Sequence, residues 1–318
     1  MPSPSRCLTA GDAFAFVRDQ AVQPTSQPRV GIELEWLTYP VDDRSRRVAL
    51  ADLEPVLGRL EGGLPCGSRL TVEPGGQVEI STVPFDAVAD AIDAARTDAA
   101  ALRTTMADHG IDMVASGLDR HRLPQRILDT GRYRAMQEYF DASGWAGRTM
   151  MCNTASLQIN VGVDGDPVDA WRAAQLVAES LGRQHAGPCP NRSDIWSRID
   201  TTRTAPVGGI DPRDAWATYA LNARVMFVRT YADECVPVLD GMTLCEWLER
   251  GSALGWATEG DVQEHLTTLF PPVRPRGFFE LRTLDALDDD VWPAVTEMAV
   301  SLLLDGPARR ELLEHACR

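Results

Sequence analysis

Apolar and polar positions alternate along several short stretches of this chain. Four of them carry carboxylates or amides on the polar side. In VGIELEWLTY, residues 30–39, Ile32, Leu34 and Trp36 fall on one side and Gly31, Glu33 and Glu35 on the other. A period of two with one apolar face predicts a half-buried strand. RLTVEPGGQVEIS, residues 69–81, predicts two strands about a Pro74-Gly75-Gly76 turn or bulge. Leu70 and Val72 alternate there with Thr71 and Glu73, then Val78 and Ile80 with Gln77, Glu79 and Ser81. TMMCNTASLQINVGV, residues 149–163, predicts the longest strand, with Thr154, Ser156, Gln158 and Asn160 opposite Ala155, Leu157, Ile159 and Val161. RPRGFFELRTLDAL, residues 274–287, predicts a last strand, with Glu280 and Arg282 opposite Phe279 and Leu281.

Helical spacing is expected at 11–20, 49–60, 85–109, 133–140, 167–182, 212–229, 243–249 and 260–269, and from 291 onward. A short strand is expected at 111–117, a proline-bearing linker up to about residue 27 and a turn at 41–47. The strands are not separated by regular crossover helices. That predicts an α+β fold, in which a mainly antiparallel sheet packs one face on helices and leaves the other open. With no repeat and no low-complexity tract, one domain is expected over 1–318, with a motif-bearing core at about 28–290 and a C-terminal helix at about 291–318.

The chain has 318 residues, 44% of them apolar, which is material for a substantial core. Its 31 basic and 46 acidic residues leave a net charge of −15, which disfavours nucleic acid and anionic membrane as partners. All 31 basic residues are arginine. The absence of lysine excludes Schiff-base chemistry, a pyridoxal-phosphate anchor and a phosphate-loop lysine. Any phosphate must be met by arginine, backbone N–H groups or metal. The seven cysteines (Cys7, Cys66, Cys152, Cys189, Cys235, Cys245 and Cys317) are scattered, with no C-x-x-C pair. Free thiols in a reducing compartment are expected, and not a zinc site or a disulfide framework. With no secretory h-region, and no apolar run near the roughly 18 residues of a membrane span, the expected location is the cytoplasm.

If the polar strand faces converge, one site holds Glu33, Glu35, Glu73, Glu79 and Glu280 with Gln158, Asn160 and Arg282. Two carboxylates about 4 Å apart repel by about 4 kcal/mol at an effective dielectric of about 20. Five require cations, either protons or, better, Mg²⁺, a hard ion that takes carboxylate and amide oxygen. No histidine lies in these strands and none of the five is spaced for metal, which argues against zinc. Cys152, on the polar side of its expected strand, has no nearby base. Singly, each motif has a plainer reading: E-x-E as a wet strand face, Pro-Gly-Gly as a turn, RPRG as a surface loop.

Taken together and in order, GIELEW, TVEPGGQVEIS, RTMMCNTASLQIN and HLTTLFPPVRPRGFFELR resemble the glutamate–cysteine ligase family of plant and actinobacterial type. Within it they look most like the ligase that opens ergothioneine biosynthesis. The likeness covers about residues 28–290. It implies a glutamine-synthetase-like fold with a curved antiparallel funnel, Mg²⁺, and ATP, L-glutamate and L-cysteine as substrates, joined through γ-glutamyl phosphate. It places Glu33, Glu35, Glu73, Glu79, Gln158 and Glu280 at the metal. Arg276, Arg282 and Glu280 then serve the reacting groups, and Arg274, Arg132 and Arg134, with Thr154, Ser156 and Asn160 of the strand face, bind substrate or ATP. Related ligases use other amines, so the acceptor stays open; so do a non-catalytic paralogue and, more distantly, a two-carboxylate hydrolase. The likeness has two breaks. LGRQHAGPCP, residues 181–190, replaces a longer helix and an Asn-Ser-Pro turn, and family members usually carry a further helical stretch after the position of Arg318.

Overall fold

The computed structural model describes residues 8–230 and 234–316. Helix α1 (Ala10–Ala21) opens on a capping box made by Thr9 and Asp12. It leads to β1 (Val30–Pro40), α2 (Leu50–Arg59) and the hairpin of β2 (Arg69–Val72) and β3 (Val78–Ser81). Then come α3 (Val88–Asp108), β4 (Ile111–Val114), α4 (Gly131–Ser143), α5 (Ala146–Asn153) and β5 (Ser156–Val161). Four helices follow, α6 (Pro167–Gln184), α7 (Arg192–Trp196), α8 (Thr201–Thr204) and α9 (Pro212–Asn222), and a small hairpin of β6 (Phe227–Arg229) and β7 (Cys235–Pro237). The chain continues through α10 (Leu244–Arg250), α11 (Glu259–Leu266), β8 (Val273–Pro275), β9 (Phe279–Asp285), α12 (Trp292–Leu304) and α13 (Gly306–His315).

The main sheet runs β2-β3-β1-β5-β9-β8, and β4 pairs with the far half of β1. Every pairing is antiparallel. The α+β expectation holds, with a sheet that does not close into a barrel. Ile32, Leu34 and Trp36 of β1, Ile80 of β3, Leu157 and Ile159 of β5 and Leu281 of β9 are all buried. They form one core with Ala95, Ala99 and Leu102 of α3, Trp171, Val177 and Leu181 of α6 and Val295 and Ala299 of α12. Burying such aliphatic side chains contributes about 1.5–3 kcal/mol each. A second apolar cluster joins α4, α5 and α7 through Met136, Phe140, Met151, Ile195 and Phe270.

Four expectations need correcting. Residues 149–153 belong to α5, so the strand begins at Ser156 and β1 is the longest. TMMC does not alternate; this helix is buried around its circumference, and Gly147 lies so close to Phe140 that a Cβ would overlap the ring. Gly277, at φ +81, splits 274–287 into the β8–β9 hairpin. The helix expected at 212–229 stops at Asn222, and Phe227–Arg229 is a strand. The C-terminal helix is two helices: Asp305 ends α12 and caps α13, with Pro307 in the first turn. Among the described residues no helix is long and apolar enough to cross a membrane. The five described cysteines are unbridged; Cys7 and Cys317 lie outside the described residues.

Candidate active site

Antiparallel register turns scattered motifs into neighbours. Thr71, Glu79 and Glu35 stand in one row across the sheet. Ser81, Glu33 and Gln158 form the next. Gly31, Asn160, Glu280 and Arg274 form a third. Side chains paired across strands lie about 4.5–5.5 Å apart at Cβ, close enough for every carboxylate to feel the next. Glu73 joins from the end of β2. Its backbone closes the Pro-Gly-Gly turn by bonds to Gln77 and Gly76 (2.8 and 2.9 Å). A Cβ at Gly75 would run into the backbone of Cys152, so only glycine fits there.

Hydrogen bonds hold the carboxylates in place. Ser156 N and Gln158 Nε2 donate to the two oxygens of Glu35, each at 2.9 Å. Asn160 Nδ2 donates to Glu33 at 2.9 Å, and Thr71 and Ser81 hydroxyls donate to Glu79 at 3.0 Å. These bonds do not offset burial and mutual repulsion. Burial, then the charges of Glu280 and Glu79, pushes Glu33 up to about 7. Burial and Glu35 push Glu79 up to about 7. Burial with Glu79, Glu35 and Glu33 pushes Glu73 up to about 8. Burial also raises Glu35.

Glu280 behaves oppositely. Burial alone would raise it, but Arg274, Arg282 and Arg276 override that and hold its carboxyl far below the usual range. Arg274 donates twice, at 2.5 and 2.9 Å, Arg276 at 3.1 Å and Arg282 at 3.0 Å. Arg282 also donates to Gln158 Oε1. Glu280 and Gln158 oxygens are therefore already engaged by the chain's own arginines, unlike the Glu33, Glu35, Glu73 and Glu79 set.

A cavity of about 170 Å³ opens over this face, lined by Glu35, Glu73, Arg132, Tyr133, Arg192 and Arg282, with Met136, Met150 and Phe270 adding apolar wall. Buried polar atoms without a hydrogen-bond partner gather around the site: Arg192 Nε, Arg282 Nε, Ser156 Oγ and Asn160 Oδ1. Such atoms are rare in folded proteins, and water, an ion or a ligand can complete them. The donor set of carboxylates and amides, without histidine or cysteine, fits a hard divalent ion. Among the described residues no three His, Cys, Asp or Glu side chains form a ready cage.

The other expected residues are placed as follows. Arg132 lines the cavity and pairs with Glu264. Thr154 lines it too, its hydroxyl donating to Met150 O at 2.7 Å. Arg276 is half exposed at the hairpin. Arg134 lies outside the group, exposed and paired with Asp129. Sequence reasoning missed Arg192, which is fully buried, stacks at 4.3 Å over Trp196 and donates to Arg282 O at 2.8 Å. It also missed Arg47, which donates to Gly75 O (2.6 Å), Asn153 Oδ1 (2.9 Å), Leu123 O (3.0 Å) and Cys152 O (3.2 Å), tying the Pro-Gly-Gly turn to the end of α5. Gln77 does the same from inside, bonding Gly75 N, Met151 O and Thr154 O. Cys152 is buried, which pushes its thiol up to about 11, and it is inert at neutral pH.

The family model for Glutamate-cysteine ligase family 2 (GCS2) matches residues 29–179 and 189–316. The chain belongs to this family. Glutamate–cysteine ligase EgtA of Mycolicibacterium smegmatis is 37% identical over 336 residues, covering 99% of this chain and 78% of the relative. EgtA of Mycobacterium tuberculosis H37Rv is 37% identical over 322 residues, 94% of this chain and 74% of the relative. The chloroplastic glutamate–cysteine ligase of Arabidopsis thaliana is 26% identical over 296 residues, 80% and 55%. Two solved structures are similar at TM-scores of 0.41 and 0.39. They are the Francisella tularensis glutamate–cysteine ligase in complex with AMP (13% identity, 89% of this chain, 68% of that one) and Plasmodium falciparum glutamine synthetase (10%, 93% and 55%). The GCS2 match breaks at 180–188. Part of that segment lines a larger cavity of about 870 Å³ between α6, α7 and Thr283 of β9, which none of Glu33, Glu35, Glu73, Glu79 and Glu280 lines.

Proposed function

We propose that this chain is an ATP-dependent ligase that joins the γ-carboxyl of L-glutamate to the amine of L-cysteine, serving ergothioneine biosynthesis. Membership of the family and the EgtA names of relatives at 37% identity support the activity. The observation that carries the chemistry is one buried face where Glu33, Glu73 and Glu79 are all pushed toward or above neutrality beside Arg192 and Arg282.

One or two carboxylates from the Glu33, Glu35, Glu73 and Glu79 set would hold Mg²⁺, which when bound supplies positive charge to the phosphate oxygens. The chain's own groups orient and neutralise the reactants. Arg192 and Arg282 each have a buried Nε–H free to donate to a carboxylate or phosphate oxygen. Met136, Met150 and Phe270 supply apolar wall beside these charges, which lowers the local dielectric. A γ-carboxylate oxygen of glutamate attacks the γ-phosphorus, the bond to the ADP oxygen breaks, and ADP leaves. The cysteine nitrogen then attacks the acyl carbon, the C–O bond breaks, and phosphate departs as the nitrogen loses its proton. No enzyme nucleophile is needed, and the motifs supply none.

Purified protein with Mg²⁺, ATP and glutamate should release ADP faster when cysteine is added. No cysteine stimulation would reject the acceptor, and product masses from a panel of amines would identify the alternative. Loss of ergothioneine on gene deletion, restored by γ-glutamylcysteine, tests the pathway assignment.

A further inference from the structure

Arg192 is a cation in the core, and a charge taken out of water needs an opposite charge close by. Two carboxylates, Glu35 and Asp285, work against the burial of its guanidinium. They are not equivalent. Glu35 lines the cavity and belongs to the set from which Mg²⁺ would draw, so its charge is shared. Asp285, the last residue of β9, is buried but does not line the cavity.

A closed circuit of contacts ties Asp285 to Arg192. Asp285 Oδ2 accepts from Gly187 N at 2.9 Å, and Gly187 O accepts from Asn191 Nδ2 at 3.3 Å. Asn191 caps α7, whose first residue is Arg192. Arg192 Nη1 then returns to β9 and donates to Arg282 O at 2.8 Å, in the strand that ends on Asp285. The space around the Asp285 carboxyl is closely fitted. A Cβ at Gly117 would overlap it, and one at Gly187 would come within 3.3 Å of Oδ2. Arg120 donates to Pro188 O and Pro190 O, which pins the segment that carries Gly187. Gly187 lies in the stretch 180–188 that the GCS2 match leaves out. The chain's own connection therefore supplies the donor that fixes Asp285.

We propose that Asp285 is a positioning residue for the ligase reaction: from outside the cavity it holds the Arg192 guanidinium in the cavity wall as a counter-charge that Mg²⁺ does not share. The inference rests on the ligase reading of the acidic face. It makes the connection between α6 and α7 a support of the site.

Double-mutant cycles between Asp285→Asn and Arg192→Met test it on the purified full chain. Asparagine keeps an oxygen for Gly187 N and removes the charge. Cysteine-stimulated ADP release, measured well below the melting temperature, should fall about ten-fold in Asp285→Asn. In the Arg192→Met background the same change should cost nothing further, because the group it positions is gone. Equal losses in both backgrounds mean that Asp285 serves the fold alone, and overturn the proposal.

Melting temperature in chelator gives a second cycle that needs no turnover, and it decides alone if Arg192→Met leaves no measurable rate. Asp285→Asn should lower it, and adding Arg192→Met should restore part of the loss, since removing one partner of a buried pair costs more than removing both. Additive shifts overturn the proposal. If Asp285→Asn does not fold, a folded double variant supports the pairing and an unfolded one overturns it. The two readings fail separately. Coupled melting shifts without cysteine-stimulated ADP release in the wild type remove the ligase assignment and keep the pairing. Stimulated release with additive variants does the reverse.

Discussion

Two kinds of buried carboxylate lie side by side on one sheet face. Glu280 is surrounded by three guanidinium groups and keeps its charge. Glu33, Glu73 and Glu79 are comparably enclosed, find few cations within the chain and are driven toward the protonated form. Burial alone therefore does not set the state of an acid; the sign of its neighbours does. The Glu280 corner is a finished ion cluster. The glutamate face is not matched by cations of the chain in the same way.

The contrast can be broken most forcefully at Glu280. Glu280→Gln strands the buried guanidinium groups of Arg274 and Arg282 and should cost about 3–5 kcal/mol of stability, read as a large fall in melting temperature. Glu79→Gln and Glu35→Gln should do the opposite to the fold. Turnover should drop by about 10²–10³, while the melting temperature in chelator at pH 8 stays level or rises. A destabilised Glu79→Gln would mean that this carboxylate is already matched by the chain.

Acidity sharpens the same contrast. In the folded chain Glu33, Glu73 and Glu79 sit above their ordinary value of 4.5, near 7, 8 and 7. Raised folded values mean that the native state holds protons the unfolded chain has released. Their stabilising contribution is complete below about pH 4.5 and is lost as pH climbs through 7 and 8. Without Mg²⁺ the melting temperature should decline from pH 5 to pH 8.5, and Mg²⁺ should flatten that slope. A flat profile in chelator would contradict the crowding.

Two smaller effects test the supports. Arg47→Met frees the Pro-Gly-Gly turn, so the Mg²⁺ concentration for half-maximal activity should rise several-fold, while Arg47→Lys recovers only part. Arg134→Ala should change activity less than two-fold, because Arg134 is exposed and its pair with Asp129 is a surface ion pair of the kind worth about 0–1 kcal/mol. A large loss would place Arg134 at the substrate after all.

Much of the glutamate face was legible because a strand has a period of two. Glu33, Glu35, Glu79, Gln158 and Glu280 could each be put on the polar side of an apolar-backed strand, and antiparallel order did the rest. Arg192 and Arg47 were not legible, since their partners are 90 and 105 positions away in Arg282 and Cys152, and nothing local marks them. The helix at Ala146–Asn153 escaped for a related reason: its burial comes from Phe140 and the second cluster, not from its own pattern. Gly277 was visible in RPRG, but its left-handed backbone, which makes a hairpin of one expected strand, was not.

The three rows across the sheet have a consequence for how the chain reaches its native form. Sliding β1 by a single position would swing Glu33 and Glu35 into the oily interior and thrust Ile32, Leu34 and Trp36 out to water. A misaligned copy would thus be penalised on both faces at once. The residues assigned here to chemistry also act as proofreaders of strand alignment, long before any substrate arrives.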